Sequence, residues 1–318
     1  MTTRATGAAA TAVAFLAALT LVSAQQPPPR AGGGPLDILP VQNGIHLIGG
    51  AGGNIAVQVG EQGVLVVDTG AEGMTDAVRA AIRTLSDQPI RYVINTSGDA
   101  DHTAGNAALS DDEGANEAFN VPGNFGFRVE QAPIIATEAA YRQLSDSMPF
   151  AAWPTSTFFS SKKTMWFNGG IEILAMPAAH SGGDLMVYFR QADVIAAGDV
   201  YVTTGYPVID VERGGSMQGL IDAANRIIDL TIPRFNQQGG TLVVPGHGRL
   251  SNEADVVEYR DMITIIRDRV QAMIGRGMTL DQVQQARPTL DYDGVYGAVD
   301  GPWTTRMFVE AVYRTLSR

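Results

Sequence analysis

The stretch "NTSGDADHTAGN" (95–106) sets Asp99, Asp101 and His102 within four positions. Carboxylates and an imidazole at that density suit a divalent cation or a general base, although a solvated loop would also tolerate them. The chain has four histidines, His46, His102, His180 and His247. Three of them stand just past an apolar run: His102 after "YVINT", His180 after "IEILAMPAA" and His247 after "TLVVPG". Asp199 follows "DVIAAG" in the same manner. Loops at strand ends are where a rigid scaffold displays its chemistry, so these four positions are expected to converge. Taken singly, each also fits a structural role; Asp199 after Gly198 could cap a turn. His46 alternates with Ile45 and Leu47 inside a hairpin and is expected to be structural.

The elements that must position these residues fall into two halves. Residues 44–70, "GIHLIGGAGGNIAVQVGEQGVLVVDTG", read as three strands separated by Gly-Gly and "GEQG" turns. Apolar residues at helical spacing predict an amphipathic helix over 71–85, followed by a buried strand over 90–96. The second half repeats this logic, with strands over 171–177, 185–190, 193–199 and 240–248 and a helix over 216–230. Residues 252–275 and 303–317 are expected to be covering helices. Between the halves, 107–165 lacks a clear period, which suits a lid or a disordered segment. Its Trp153, Phe158, Phe159 and Trp166 could line a substrate pocket or simply pack an excursion onto the body.

Composition excludes several classes. Residues 1–24 carry one basic residue, Arg4, then a small and apolar run ending in Val-Ser-Ala, the pattern of a cleaved signal peptide. Residues 25–40, beginning "QQPPPRAGGGP", are expected to be a flexible leader, and 41–318 a single domain. Removing the signal from the 318-residue chain leaves 294 residues and takes the net charge from −11 to −12. So acidic a protein is a poor partner for nucleic acid, whose phosphates require Lys and Arg. No cysteine is present, which excludes disulfides, a thiol nucleophile and Cys-ligated zinc. A periplasmic or secreted protein with no stable membrane insertion after cleavage is expected.

The order strand–"VVDTG"–helix–strand–"NTxxxxDHTxGN"–"AxH"–"xGD"–"PGHG" resembles the metallo-β-lactamase-fold hydrolase superfamily over roughly residues 41–250. The resemblance implies an α/β (α+β) fold, an αββα sandwich of two mixed β-sheets flanked by helices, with a one- or two-metal site at one edge of the sheets. The family loop usually reads H-x-H-x-D-H; here those positions are Ser97, Asp99, Asp101 and His102. His180, the bridging Asp199 and His247 match the remaining ligands, and Asp68 matches a structural aspartate near the site. One site is thus implied intact, with Asp101, His102, His247 and Asp199. The other keeps His180 and Asp199, with Asp99 as a substitute ligand and Ser97 a vacancy. An extra carboxylate makes the centre less positive, which weakens its pull on a carbonyl oxygen and on bound water. It also shifts metal preference from zinc towards harder ions such as manganese, with iron a further candidate for a set of imidazoles and carboxylates.

An aspartate at position 199 is similar to the glyoxalase II and lactonase branches. The function implied is hydrolysis of a small-molecule ester, thioester, lactone or amide by metal-bound hydroxide, with one or two zinc ions and Asp101 taking the proton. The alternative is a degenerate relative that keeps the fold and acts as a binding protein. A serine hydrolase is a third reading, because Ser160 and Lys163 have S-x-x-K spacing.

Overall fold

Short apolar runs broken by glycine pairs fold as antiparallel hairpins. In the computed structural model, which describes residues 36–111, 131–146, 148–233 and 239–317, they form β1 (Asp37–Gln42), β2 (Ile45–Ala51), β3 (Gly53–Gly60) and β4 (Gly63–Val67). Helix α1 (Thr75–Leu85) then crosses to β5 (Ile90–Ile94), which lies parallel to β4. The chain continues through α2 (Ala100–Thr103), α3 (Asn106–Ser110), β6 (Ile134–Thr137), α4 (Glu138–Ser145) and β7 (Ser156–Phe158), closing a seven-stranded sheet in sequential order. A second sheet, of six strands, is built from β8 (Lys162–Trp166), β9 (Gly170–Ala175), β10 (Leu185–Phe189), β11 (Val194–Val202), β12 (Leu242–His247) and β13 (Ser251–Asn252). Helix α5 (Met217–Leu230) makes the crossover between β11 and its parallel neighbour β12. Helices α6 (Glu253–Gly275), α7 (Leu280–Ala286), α8 (Asp293–Tyr296) and α9 (Thr305–Leu316) complete the chain.

The layers follow from which faces are apolar. On β4, Leu65 and Val67 face the inter-sheet core with Ile94, Ile173 and Val187, while Val64 and Val66 face α1 through Val78 and Ile82. A strand buried on both faces reads as an unbroken apolar run, which is what "GVLVV" is. The outer face of the second sheet packs on α5, α6 and α9 through Ile195, Leu220, Ile263 and Phe308. This is an αββα sandwich of two mixed sheets. Among the described residues no helix is long and apolar enough to cross a membrane.

Two expectations are corrected. The leader does not extend to residue 40: Asp37–Gln42 is β1, an edge strand paired antiparallel with β2. Its side chains are mostly exposed, so backbone pairing holds it and no apolar alternation betrays it. The expected signal peptide, and the leader as far as residue 35, lie outside the described residues. Nor is 107–165 without structure, since its described parts hold β6, α4 and β7; strands of four and three residues are too short to register a period. Residues 112–130 of that stretch lie outside the described residues.

Candidate metal centre

The opening segment is closed on itself by two asparagines. Asn95 and Asn106 exchange reciprocal side-chain amide hydrogen bonds, each 2.9 Å, so the ends of 95–106 are clamped side by side. Between them the chain leaves β5 and turns into α2, with Thr103 Oγ1 donating to the Asp99 carbonyl at 2.8 Å. Ser97 is buried, and its hydroxyl accepts from the Asp99 amide at 3.2 Å, which shapes the same turn.

Asp68, at the end of β4, anchors this turn to the site. Its carboxylate accepts from the Thr96 amide at 2.8 Å, from Thr96 Oγ1 at 2.6 Å and from His102 Nδ1 at 2.8 Å. With Nδ1 so committed, His102 turns Nε2 towards Asp199 Oδ2, 3.2 Å away. His247, ending β12, brings its Nε2 within 3.3 Å of Asp101 Oδ2 and 3.4 Å of Asp199 Oδ1. Gly246 permits this approach, because a Cβ there would fall on Asp199 Oδ1. Gly53 plays the same part against His102, whose Cε1 lies 2.7 Å from where its Cβ would stand.

These atoms fit a divalent ion. His102 Nε2 and Asp199 Oδ1 are buried and make no aligned hydrogen bond, each having only an ion-pair neighbour at 3.2 and 3.4 Å, which leaves their lone-pair directions open to a cation. Two ligands about 2.05 Å from one tetrahedral ion lie about 3.3 Å apart, and the separations here are 3.2, 3.3 and 3.4 Å. A donor set of imidazoles and carboxylates suits zinc, iron or manganese.

A second group lies beside the first. Among the described residues, Asp101, His102 and His247 form one candidate metal group, and Asp99, His180 and Asp199 another. All six expected site residues are therefore brought together. His180 Nδ1 lies 3.0 Å from the Val208 carbonyl, and its Nε2 is 2.5 Å from Asp99 Oδ2. The other Asp99 oxygen accepts from Arg213 Nη2 at 2.5 Å, and Arg213 Nε donates to Asp210 Oδ2 at 2.6 Å. Arg213 escaped sequence reasoning. Its only local signal is the Asp210-x-x-Arg213 spacing, and nothing in it points to Asp99, more than a hundred positions away.

In the ion-free protein these pairings shift the titrating groups. Burial would raise the Asp99 carboxyl, but His180 and Arg213 outweigh it and hold the group at about 2. Burial would lower His180; the hydrogen bond it donates to Asp99 and the nearby carboxylates Asp199 and Asp184 push it up to about 10. His102 is likewise raised against its burial, by Asp199 and Asp68, and His247 by Asp101 and Asp199. Asp199 is depressed despite complete burial, chiefly by the charge of His102.

A cavity of about 470 Å³ opens onto both groups. Its lining also includes Val202, Tyr206 and Val208, Tyr296 of α8, and Trp303 from the chain between α8 and α9. The expected aromatics of 107–165 are elsewhere. Phe158 belongs to the inter-sheet core, Trp153 packs edge-on against Tyr141 and Phe150, and Phe159 and Trp166 are exposed. Ser160 is exposed and donates to the Lys162 carbonyl, and Lys163 lies on strand β8 rather than on a helix. Neither residue lines the cavity.

The family model of the metallo-beta-lactamase superfamily matches residues 48–247. Among solved structures, the chain is similar to the stereoselective inverting sec-alkylsulfatase Pisa1 from Pseudomonas sp., at 15% identity and a TM-score of 0.64 over 88% of this chain. It spans only 50% of that protein's length. It is also similar to the DIM-1 metallo-beta-lactamase (16% identity, TM-score 0.53, 72% of this chain and 97% of that one). A metallo-beta-lactamase from Pontibacter korlensis gives 14% identity and a TM-score of 0.52, over 72% of this chain and 99% of that one. At such identities the likeness is one of fold. No curated protein matches the chain by sequence.

Proposed function

The chain belongs to the metallo-beta-lactamase superfamily, and from that premise we propose that it is a metal-dependent hydrolase of a small-molecule ester, thioester, lactone or amide. One observation carries the reading: buried His102 Nε2 and Asp199 Oδ1 make no aligned hydrogen bond, and the pairs His102–Asp199, His247–Asp101 and His247–Asp199 stand 3.2 to 3.4 Å apart, at ligand spacing. These four residues would hold the ion, with zinc the expected metal and manganese or iron as alternatives. A divalent ion bound there polarises a carbonyl oxygen and makes water acidic enough to react at neutral pH.

The chain's own residues do the rest. Asp101 lines the cavity, and its carboxyl is held below the usual range by His247 and His102 against the effect of burial. It therefore stays ionised at neutral pH and can accept a proton from a water lying beside it. Asp199, depressed in the same way, keeps its negative charge between the two imidazoles. Val202, Tyr206 and Trp303 would take the apolar body of the substrate and exclude water from the reacting end.

The test is a panel of lactones, thioesters, aryl esters, β-lactams and, given the sulfatase likeness, alkyl sulfates, offered to metal-loaded and chelator-treated protein. Hydrolysis of a carbonyl substrate that chelation abolishes supports the reading. Protein that takes up no stoichiometric metal, or turns over sulfates alone, overturns it. The signal-like residues 1–24 support export, with a mature N-terminus near Gln25. Mass spectrometry of protein from the producing cells checks this, and an N-terminus at Met1 contradicts it.

A further inference from the structure

We propose that Arg213 supplies the second positive charge of this centre, so that the chain holds one divalent ion where the family pattern would hold two. The proposal rests on the metal-dependent reading above.

Spacing separates the two groups. Around His102 and His247 the pairs His102 Nε2–Asp199 Oδ2, His247 Nε2–Asp101 Oδ2 and His247 Nε2–Asp199 Oδ1 are 3.2, 3.3 and 3.4 Å apart, close to the roughly 3.3 Å between two ligands of one tetrahedral ion. Asp99 Oδ2 and His180 Nε2 are 2.5 Å apart, in direct hydrogen-bond contact. Two ligands of one tetrahedral ion, about 3.3 Å apart, do not approach so closely.

Charge separates them too. Both oxygens of Asp99 are engaged, one by His180 and one by Arg213. Arg213 is itself fixed by Asp210, which accepts from its Nε at 2.6 Å and from its backbone amide at 2.8 Å. A guanidinium does not lose its proton in a protein, so its repulsion of an incoming cation persists at every working pH. Asp99 is then a positioning residue for Arg213 rather than a metal ligand. Arg213 also lines the cavity, and its Nη1 makes no hydrogen bond to any described residue, which leaves those N–H groups for an acceptor oxygen of the substrate.

The experiment is zinc stoichiometry by elemental analysis after loading and dialysis, with calorimetric titration of zinc into the apo protein. Wild type is expected to hold one equivalent. Arg213→Ala is expected to gain a second, weaker equivalent, because it frees an oxygen of Asp99 and removes the repelling charge. Arg213→Lys keeps the charge and is expected to stay at one, and it serves as the folding control. Two equivalents in wild type or in Arg213→Lys, or one in Arg213→Ala, overturn the proposal. Zero equivalents in wild type would overturn the metal-dependent reading itself, an outcome distinct from the others.

Discussion

Asp68 accepts a hydrogen bond from Nδ1 of His102 at 2.8 Å, and this contact decides which imidazole nitrogen faces Asp199. Outer partners of this kind fix the tautomer and orientation of a metal-binding histidine. Asp68 has a backbone φ of +67°, a region that aspartate and asparagine tolerate better than most residues.

Asp68→Asn should therefore fold yet bind metal poorly. With its remaining carbonyl oxygen held by the Thr96 amide, the new NH2 group faces the Nδ1–H of His102, donor against donor. The imidazole is driven to the tautomer that points a proton at the metal position. Metal affinity should fall about 10- to 100-fold, measured by competition with a chromophoric chelator. Unchanged affinity would mean that the Asp68–His102 contact does not orient the ring.

Removing a ligand should cost more than removing its support. His247→Ala deletes an imidazole that touches both Asp101 and Asp199. Its loss of zinc affinity should exceed the roughly 10- to 100-fold expected for an outer partner. Full metal content after dialysis would exclude His247 from the ligand set.

Gly246 should tolerate no side chain. An alanine Cβ there would fall on Asp199 Oδ1 and lie 2.7 Å from the Gly198 carbonyl carbon. Overpacking of this kind costs about 1–3 kcal/mol, and the displaced carboxylate should also weaken metal binding. Thermal unfolding and metal content should both fall in Gly246→Ala, and an unaltered Tm would refute the clash.

Metal uptake should release protons at neutral pH. His102 and His247 are raised above their ordinary value in the ion-free protein, so each holds its proton more tightly than a free imidazole and must lose it to become a ligand. A histidine raised in the folded state stabilises the ion-free fold fully below its unfolded value of about 6.5, and that contribution is lost as pH rises through the folded value. The Tm gap between metal-loaded and chelated protein should therefore widen as pH rises above about 6.5. Calorimetry in buffers of different ionisation enthalpy counts the protons released. A gap independent of pH and no proton release would show that these imidazoles are already neutral.

Much of the fold was legible because buried strands declare themselves locally. Continuous apolar runs marked β4, β5, β10, β11 and β12 to within a few residues, and three of the four scarce histidines stood out by following such runs. The resemblance of the motif order to a known family then supplied the two-sheet sandwich, which no local period contains. Edge strand β1 and the short β6 and β7 were missed because side-chain burial, the signal that a sequence carries, is weak or brief there.

The sequence by itself determined that His102, His180 and His247 stand at or beyond the ends of apolar strand runs, since that follows from period and punctuation along one stretch of chain; Asp199, expected at a strand end, lies inside β11. Only the tertiary structure decided that Arg213 pairs with Asp99, and that Pro302, Trp303 and Thr304, between α8 and α9, line the cavity. The physical reason is range. Hydrophobic periodicity is set by near neighbours in the chain, whereas an ion pair depends on distance in space, and the loops that join strand ends carry no period to reveal which of them meet.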